Sequence, residues 1–448
     1  MRVALPFPAR RGELDESIRP RRGLPRICPA LLWSLLAAAA PAAGAENDWL
    51  LEQQDRIREL ERQVAVLVNE VAALRTGAAV PEEPGMESRF GLGPAASKIY
   101  GAATGLSLGG YAEGAYSNQV GDAEGDGTDR ADLTRMVLYV GHKFDERLLF
   151  NAEIEFEHAS TSKAGEVSLE FASLEYLLRD ELNLRAGLLL IPMGFLNEMH
   201  EPPFYYGTQR PEVEEQIIPT TWRENGVGVF GQVGESISYR AYIVNGFDAT
   251  GFDSSGLRGG RQKGSKAKAE NLAFVARLDL EPRDGLLLGG SFYQGNTAQD
   301  ELAPSVRTRI WEAHAHFVHR GFHARGLFAR ASVGDAGALS TALGLAGNRS
   351  VAGEMLGGYI EAGMDVLSFL APGSEKSLVP FFRFEYLDTQ HDVPTGFVRD
   401  RRQPRRLFIP GIHFKPHPNV VLKLDYRNID TWGVNTADEV NFGFGLVF

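Results

Sequence analysis

The 448-residue sequence predicts an all-β fold, a sixteen-stranded antiparallel transmembrane β-barrel that follows an N-terminal α-helical coiled coil in the periplasm. Three observations predict it: an export signal, a long series of alternating segments, and a closing strand at residues 440–448. In that strand every even position is large and apolar, whereas Asn441, Gly443 and Gly445 are small or polar. A period of two places one set of side chains on each face of a strand. Such a strand, ending on an aromatic residue, resembles the sorting signal of bacterial outer-membrane barrels, although an ordinary soluble sandwich can close in the same way.

Residues 1–45 are predicted to be a signal peptide. An arginine-rich lead precedes an apolar run over residues 27–40, and Ala43-Gly44-Ala45 supplies small residues for cleavage. The run is shorter than the roughly 20 residues that a membrane helix needs. Cys28, the single cysteine, would leave with the signal, so the mature chain is expected to contain neither a disulfide nor a thiol metal site.

Composition fits a membrane barrel and disfavours other classes. The formal net charge of −12 argues against a nucleic-acid partner. No run of 18 apolar residues exists, so helical membrane spans are not expected. A barrel carries its hydrophobicity in alternation and looks hydrophilic on average, and the 50 glycines and 26 phenylalanines agree with that picture.

Residues 46–77 show the heptad pattern of a coiled coil, and residues 78–105 are predicted to be a linker. The seam follows an unbroken three-four repeat. Its positions are Ile57, Leu60, Val64, Leu67, Val71 and Leu74. β-branched residues alternating with leucine favour dimers in model peptides. Arg56, Ile57, Leu60 and Glu61, however, resemble a trimer-specifying motif, and we therefore predict a homotrimer. The alternative is a single amphipathic helix that packs on its own barrel.

Residues 106–448 divide into sixteen candidate strands, joined by alternately long and short connections. The strands are predicted to begin near residues 106, 134, 147, 167, 182, 223, 236, 270, 285, 307, 322, 353, 378, 405, 419 and 438. One set of connections is systematically longer, as in outer-membrane barrels with short periplasmic turns and long outer loops. The even count returns both ends of the barrel to the periplasmic side.

The two faces of the clearest strands differ in polarity. Leu148, Phe150 and Ile154 alternate with inward-facing acids. A row of carboxylates is costly in a soluble core but costs little in a water-filled lumen. The predicted pore-lining strand residues are Glu153, Glu155, Glu157, Arg185, Arg240, Arg383, Glu385, Lys423, Asp425 and Arg427. Around the loop 192–222, which is predicted to fold into the pore, the candidates are Glu198, His200, Glu201 and Arg223.

Several stretches resemble the phosphate-selective porin O/P family. They are residues 133–142, 156–159, 184–188, 197–203 and 218–224, and the resemblance is strongest from 184 to 231. It implies a sixteen-stranded trimeric channel with a constriction loop at 192–222. The family's phosphate-specific members gather anions with a lysine cluster and an arginine ladder. This chain departs from them, because it has nine lysines and places glutamates on strand 147–157.

Other motifs are weaker. Gly226, Gly228 and Gly231 match a dinucleotide fingerprint, but the pattern is itself a strand with no helix after it. The histidines between His314 and His323 are interpreted as lumen or rim residues rather than metal ligands. No nucleophile with a flanking base is visible. The sequence therefore predicts no cofactor, no metal and no enzymatic activity.

Charged loops leave two interpretations open. The basic runs at 258–268 and 399–406 either draw anions to the pore mouth or lie in solvent and neutralise lipopolysaccharide. Glu212, Glu214 and Glu215 either line the narrowest part of the pore, where they could hold a divalent cation, or form a surface charge run.

The function expected from this sequence is passive diffusion through an outer-membrane porin. Small hydrophilic solutes and ions would pass, with anions such as phosphate among the candidates. Charges of both signs on opposite walls predict weak selectivity. The partners would be outer-membrane lipid, lipopolysaccharide and two further copies of the chain. The alternative is a structural barrel whose coiled coil tethers the envelope.

Overall fold

The computed structural model describes residues 54, 56–60, 62–63, 87–121, 128–159, 165–302 and 305–448. The chain divides into two compact units, Met1–Arg75 and Thr76–Phe448. In the first unit the described residues are helical and exposed, and Arg56, Ile57 and Leu60 are among them. The predicted signal peptide lies outside the described residues. So do Glu61 of the trimer-specifying motif and the remaining seam positions, Val64, Leu67, Val71 and Leu74.

The described part of the second unit contains sixteen strands. The first eight are β1 (Gly105–Val120), β2 (Arg130–Lys143), β3 (Leu148–Glu157), β4 (Val167–Arg179), β5 (Leu182–Leu190), β6 (Arg223–Val233), β7 (Ile237–Asn245) and β8 (Leu272–Arg283). The others are β9 (Leu286–Asn296), β10 (Arg307–His319), β11 (Phe322–Val333), β12 (Glu354–Met364), β13 (Ser377–Asp392), β14 (Arg405–His417), β15 (Val420–Thr431) and β16 (Asp438–Val447). The predicted strands are confirmed; the largest displacement is β2, which begins four residues earlier than expected.

Four short helices accompany the strands. They are α1 (Pro94–Gly101), α2 (Val213–Gln216), α3 (Ala336–Ala342) and α4 (Leu367–Leu370). None of the helices in the described residues is long and apolar enough to cross a bilayer. The helix α1 falls within the segment predicted to be a linker.

The strands form one closed antiparallel barrel. Each strand pairs with the next in sequence, and β1 pairs with β16. The closing pair extends to the last residue, because the Phe448 N–H donates to the Gly110 carbonyl and the Gly110 N–H donates to the Phe448 carbonyl, both at 2.9 Å. Closure leaves no strand edge without a partner, which is the condition for β-structure inside a bilayer.

Connections at the two ends of the barrel differ in length. The turns after the even-numbered strands are short, as at 180–181, 284–285 and 320–321, except the connection after β12, which has twelve residues and contains α4. The connections after the odd-numbered strands are longer. The two longest of these are named L3 (191–222) and L4 (246–271). The alternation agrees with the prediction, and so does the position of L3.

The strand faces alternate as predicted. On β15, Leu422 and Leu424 are 36% and 45% exposed on the outer surface. Lys423 and Asp425, on the opposite face, are 3% and 2% exposed. This alternation gives an apolar outer surface and a polar inner one, the pattern of a barrel that faces lipid.

The lumen is partly filled, which the sequence analysis did not anticipate. The helix α1 lies inside the short-turn end: its Ile99 is 1% exposed, and its Ala96 carbonyl accepts a bond of 3.0 Å from Asn151 Nδ2. An apolar cluster occupies another part of the lumen, where Trp222 of L3 stacks on Phe247 of L4 with ring centroids 4.3 Å apart. The inward acids therefore do not face a wide aqueous channel.

Candidate constriction of the barrel

L3 leaves the wall after β5 and returns at β6, and its two ends are held together by one side chain. Asn197 Nδ2 donates to the carbonyls of Ile191 at 2.6 Å and Trp222 at 2.8 Å. The Trp222 N–H donates to Asn197 Oδ1 at 2.7 Å. Asn197 thus closes the base of the loop and fixes the direction in which the following residues enter the lumen.

Residues just after this base contact the wall formed by β3 and β4. His200 Nε2 lies 3.0 Å from Glu153 Oε1 and 3.4 Å from Glu170 Oε2. Arg223 Nη1 lies 3.3 Å from the other oxygen of Glu170, and Arg135 Nη1 lies 3.4 Å from Glu155 Oε1. These inward acids are covered by the loop.

The next residues of L3 contact α1 and β1. Glu201 accepts hydrogen bonds from the N–H groups of Ala95 at 3.0 Å and Ala96 at 3.4 Å. A carboxylate at a helix N-terminus satisfies donors that have no partner within the helix. Farther along, the Tyr205 hydroxyl donates to Glu113 Oε2 at 2.6 Å.

The tip of L3 crosses to β13 and β15. Thr208 donates to Asp425 Oδ2 from both its N–H (2.6 Å) and its hydroxyl (2.8 Å). Arg383 donates to the carbonyls of Tyr206 at 3.2 Å and Gln209 at 3.0 Å. The wall therefore binds the loop backbone as well as its side chains.

Glu212 is the charged residue of L3 at this wall. Its N–H donates to Glu385 Oε2 at 2.7 Å. Its carboxylate lies 2.8 Å from Arg427 Nη2 and 2.7 Å from Arg405 Nε. Arg427 also binds Glu439 at 2.7 Å. Glu212 therefore lies inside the barrel and is paired with two arginines, which does not agree with a surface charge run at this residue.

Glu214 has a different environment. It is fully buried, and it accepts hydrogen bonds from the Tyr359 hydroxyl at 2.6 Å and the Leu196 N–H at 2.7 Å. Burial raises the pKa of Glu214, and these two hydrogen bonds act against that rise. Glu214 joins the loop to β12 and does not line a passage.

Arginines of β7 and β8 complete the contacts. Arg240 Nε lies 3.4 Å from Glu198 Oε1, and Arg240 Nη1 donates to Asp279 at 3.0 Å. Arg277 donates to the Gly194 carbonyl. L3 thus contacts strands in every sector of the barrel and crosses the lumen at this level.

Small residues on β16 give L3 the room to cross. A Cβ on Gly443 would lie 2.9 Å from Thr208 Cγ2, and one on Gly445 would lie 2.3 Å from the Cβ of Pro202. The alternation of small and large residues in β16 therefore has a role on each face of the strand. The large apolar side chains cover the outer surface, and the glycines leave room for L3 on the inner one.

A cavity of about 240 Å³ lies between L3 and the wall from β10 to β14, at the short-turn end. In its wall, Arg325 of β11 and Glu361 of β12 lie opposite each other and pair at 2.8 Å. Lys415 Nζ lies 5.2 Å from the ring centroid of Phe204. In the part of the chain that the structure describes, neither ring nitrogen of His413 has a hydrogen-bond partner. The lining as a whole has more cationic than anionic groups.

The residues predicted to line the pore differ in their surroundings in the structure. The inward direction of the strand candidates agrees with the strand faces, but most of them contact L3 or α1 instead of open space. Arg185, for instance, binds Glu175 at 2.8 Å and the Tyr100 hydroxyl of α1 at 3.1 Å. Glu157 is partly exposed at the long-loop end of β3.

Sequence reasoning missed the residues that line the cavity and part of the contacts of L3. These are chiefly Glu113, Glu170, Arg210, Arg325, Glu361, His413 and Lys415. Most of them occupy inward positions of their strands, so alternation could have found them. Arg210, in L3 itself, carried no such signal.

The basic run at 258–268 was interpreted either as attracting anions to the pore mouth or as lying in solvent, and its contacts agree fully with neither interpretation. Arg258 donates to the Thr220 carbonyl, and Arg261 donates to the Thr220 and Thr221 carbonyls at 2.9 and 3.2 Å. These arginines hold the end of L3 rather than facing solvent. The dinucleotide-like glycines lie within strand β6, as expected.

No protein-family model matches this sequence. A protein of Aquifex aeolicus (strain VF5), described as uncharacterized, is 37% identical over 351 residues, which cover 76% of this chain and 79% of that protein. Among solved structures, Salmonella typhi OmpF in complex with daunomycin superposes with a TM-score of 0.50 at 12% identity, covering 77% of this chain and 97% of OmpF. The anion-selective porin of Comamonas acidovorans gives 0.48 at 11% identity, covering 77% and 100% of the two chains. The DcaP channel of Acinetobacter baumannii gives 0.48 at 13% identity, covering 77% and 97%.

Proposed function

Because the chain belongs to the family of the Aquifex aeolicus protein and has the fold of a porin barrel, we propose that it is an outer-membrane porin. It lets small hydrophilic solutes and ions diffuse passively through a water-filled pore, without a catalytic step or a cofactor. The observation that carries this proposal is the closed sixteen-stranded barrel with L3 folded across its lumen and a charged cavity beside the loop. The short turns then face the periplasm and the long loops face outward.

The charges along the route favour weak anion preference. Most acids at the level of L3 are paired with arginines or accept hydrogen bonds. They therefore contribute little to the electrostatic potential in the pore. The cavity, by contrast, is lined by Lys415, which has no acid beside it in the lining, and by Arg325, which pairs with Glu361. Ions at this cavity feel a mild positive potential, because charges along a pore set its ion preference.

The narrower assignment to phosphate-selective porins rests on the sequence resemblance. The cavity supports anions as solutes, phosphate among them. The small number of lysines does not support a high-affinity phosphate site. We therefore expect phosphate to pass as one anion among others.

Single-channel recording in planar bilayers tests the proposal. Purified protein should give stable conductance steps, and a salt gradient should give a reversal potential with a small anion preference. Addition of micromolar phosphate should leave the chloride current unchanged. A barrel that inserts without any conductance contradicts the porin function, and micromolar phosphate block contradicts weak selectivity.

We also propose that the chain assembles as a homotrimer through its coiled coil. The support is the heptad seam and the Arg56, Ile57, Leu60 and Glu61 motif. The double change Leu60→Asn and Leu67→Asn should weaken assembly while the barrel stays folded, because its strands close within one chain. Native mass spectrometry in mild detergent measures this, and a wild-type monomer or dimer contradicts the proposal.

A further inference from the structure

Three metal-ligating side chains from three elements meet under L3. Glu153 of β3, Glu170 of β4 and His200 of L3 each direct one ligand atom to a common point, and these atoms all lie within 4.8 Å of one another. Each of the three residues is at most 1% exposed. Donor atoms around a tetrahedral Zn²⁺ lie about 3.4 Å apart, given metal–ligand bonds of about 2.0–2.2 Å. The His200 Nε2 distances of 3.0 and 3.4 Å to the two carboxylates agree with that spacing.

The orientation of the His200 ring is fixed by the loop base. His200 Nδ1 lies 3.3 Å from the Asn197 carbonyl, which can only accept, so Nδ1 carries a hydrogen. In the neutral ring Nε2 then presents its lone pair to the carboxylates. A histidine whose second nitrogen donates to a backbone carbonyl is the usual arrangement of a metal ligand. Tyr111, with its ring centroid 5.8 Å away, supports the ring from the side.

The carboxylates have unused binding capacity. Among the described residues, Glu153 Oε2 has no hydrogen-bond partner, and Glu170 Oε2 makes no hydrogen bond beyond its 3.4 Å contact with His200 Nε2, although both side chains are fully buried. Glu155, the next inward-facing residue of β3 after Glu153, is a third acid at this place. The guanidinium groups in contact are Arg223 and Arg135, and Arg135 is shared with Glu113 at 2.8 Å. Arg210 is also buried and lies close to Glu153 and His200, so three guanidinium groups face three acids. What remains unmet is the binding capacity of the buried carboxylate oxygens, which is costly.

We propose that Glu153, Glu170 and His200 bind one divalent transition-metal ion, of which Zn²⁺ is the representative. One imidazole and two carboxylates suit first-row divalent ions better than Ca²⁺ or Mg²⁺, which favour all-oxygen sites. The ion would satisfy the carboxylate oxygens that lack partners and fasten L3 to the β3–β4 wall. This site goes beyond the porin function and was not expected from the sequence, which predicted no metal.

The competing arrangement is a protonated imidazole that donates from Nε2 to both carboxylates. It gives the same three contacts without an ion. The two arrangements differ in whether the folded protein takes up metal at this place, and binding measurements therefore separate them.

The test uses folded full-length protein in detergent, stripped with a chelator and then titrated with Zn²⁺ by calorimetry. Co²⁺ serves as a spectroscopic substitute. The variants are Glu153→Gln and His200→Gln, each checked for an intact barrel by its heat-dependent gel mobility. Each should bind one equivalent less than the wild type, and each should lose the Co²⁺ absorption of a nitrogen- and oxygen-liganded site.

The matched control is Glu312→Gln. Glu312 also lies beside a buried histidine, since His314 Nδ1 is 2.9 Å from it, but His314 Nε2 is already paired with Asp279 at 2.9 Å. This variant should bind as much Zn²⁺ as the wild type. Equal Zn²⁺ stoichiometry in the wild type and both site variants overturns the proposal. Because the readout is binding, the result is independent of whether the barrel conducts ions.

Discussion

The two sides of the lumen have the same alternating strand pattern, but their inward-facing charges have different surroundings. On the side of β3 to β5, inward charges are covered by L3 and α1; Glu175 is 1% exposed and is bound by Arg185 and Tyr100. On the side of β10 to β14, Lys415 and His413 border an open cavity. We call these the filled side and the cavity side. The comparison teaches that alternation decides which residues point inward, whereas the inserted segments decide which of them meet solvent.

The largest expected effect comes from removing the segment that separates the two sides. Replacement of residues 198–216 by a short glycine–serine linker should raise single-channel conductance several-fold, because L3 contacts every sector of the wall at its level. Deletion of the exposed residues 346–349, in the connection after β11, is the control and should leave conductance near the wild-type value. Unchanged conductance in the L3 variant means that the ion path does not pass this loop.

Loss of a charge on the filled side should destabilise the barrel strongly. Glu175→Ala leaves Arg185 buried without its carboxylate partner. Breaking a buried pair in this way costs about 3–5 kcal/mol. Urea unfolding in lipid vesicles measures the change. Glu181→Ala, at an exposed turn, should leave the unfolding midpoint in place, and equal midpoints for the two variants would show that the filled side is hydrated.

A methyl group on the last strand should disturb the contact between L3 and β16. In Gly445→Ala the new Cβ meets Pro202 at 2.3 Å, which is too close for either atom to remain in place. Overpacking of this kind costs about 1–3 kcal/mol. Unfolding and conductance measurements together should show lower stability and an altered current. The control Gly101→Ala adds a methyl group with no atom within 4 Å, and it should match the wild type.

The smallest effect is expected for a single charge on the cavity side. Lys415→Glu changes the sign of one lining group and should move the reversal potential toward cation preference. Salt at about 0.1 M screens each charge beyond about 10 Å, so the shift should grow as salt falls. Lys376→Glu, at an exposed turn outside the cavity lining, is the matched control. A shift of the same size in both variants would assign the effect to the general charge of the protein.

The strands of the barrel could be predicted from the sequence, but the segments that fill its lumen could not. The alternation of polar and apolar residues predicted the strands and the inward direction of Glu153 and Lys423. It could do so because a period of two can be recognised within a short stretch of sequence. The docking of α1 could not be found in this way, since its place depends on Glu201 and Asn151, which are distant in sequence. The clustering of His200 with Glu153 and Glu170 likewise depends on how L3 crosses the lumen. A local sign of the helix was Pro94, a residue that is favoured at the first position of a helix.

The pairing of Gly110 with Phe448 has a consequence for how the molecule is made. These two residues stand near the two ends of the barrel sequence, so the final row of hydrogen bonds forms between the strands that are farthest apart along the chain. Until that row forms, both outer strands carry unpaired N–H and carbonyl groups that can join foreign strands. Contacts of such long sequence separation also form slowly. Closure of β1 on β16 is therefore the step that removes the two open edges and protects the barrel from pairing with foreign strands.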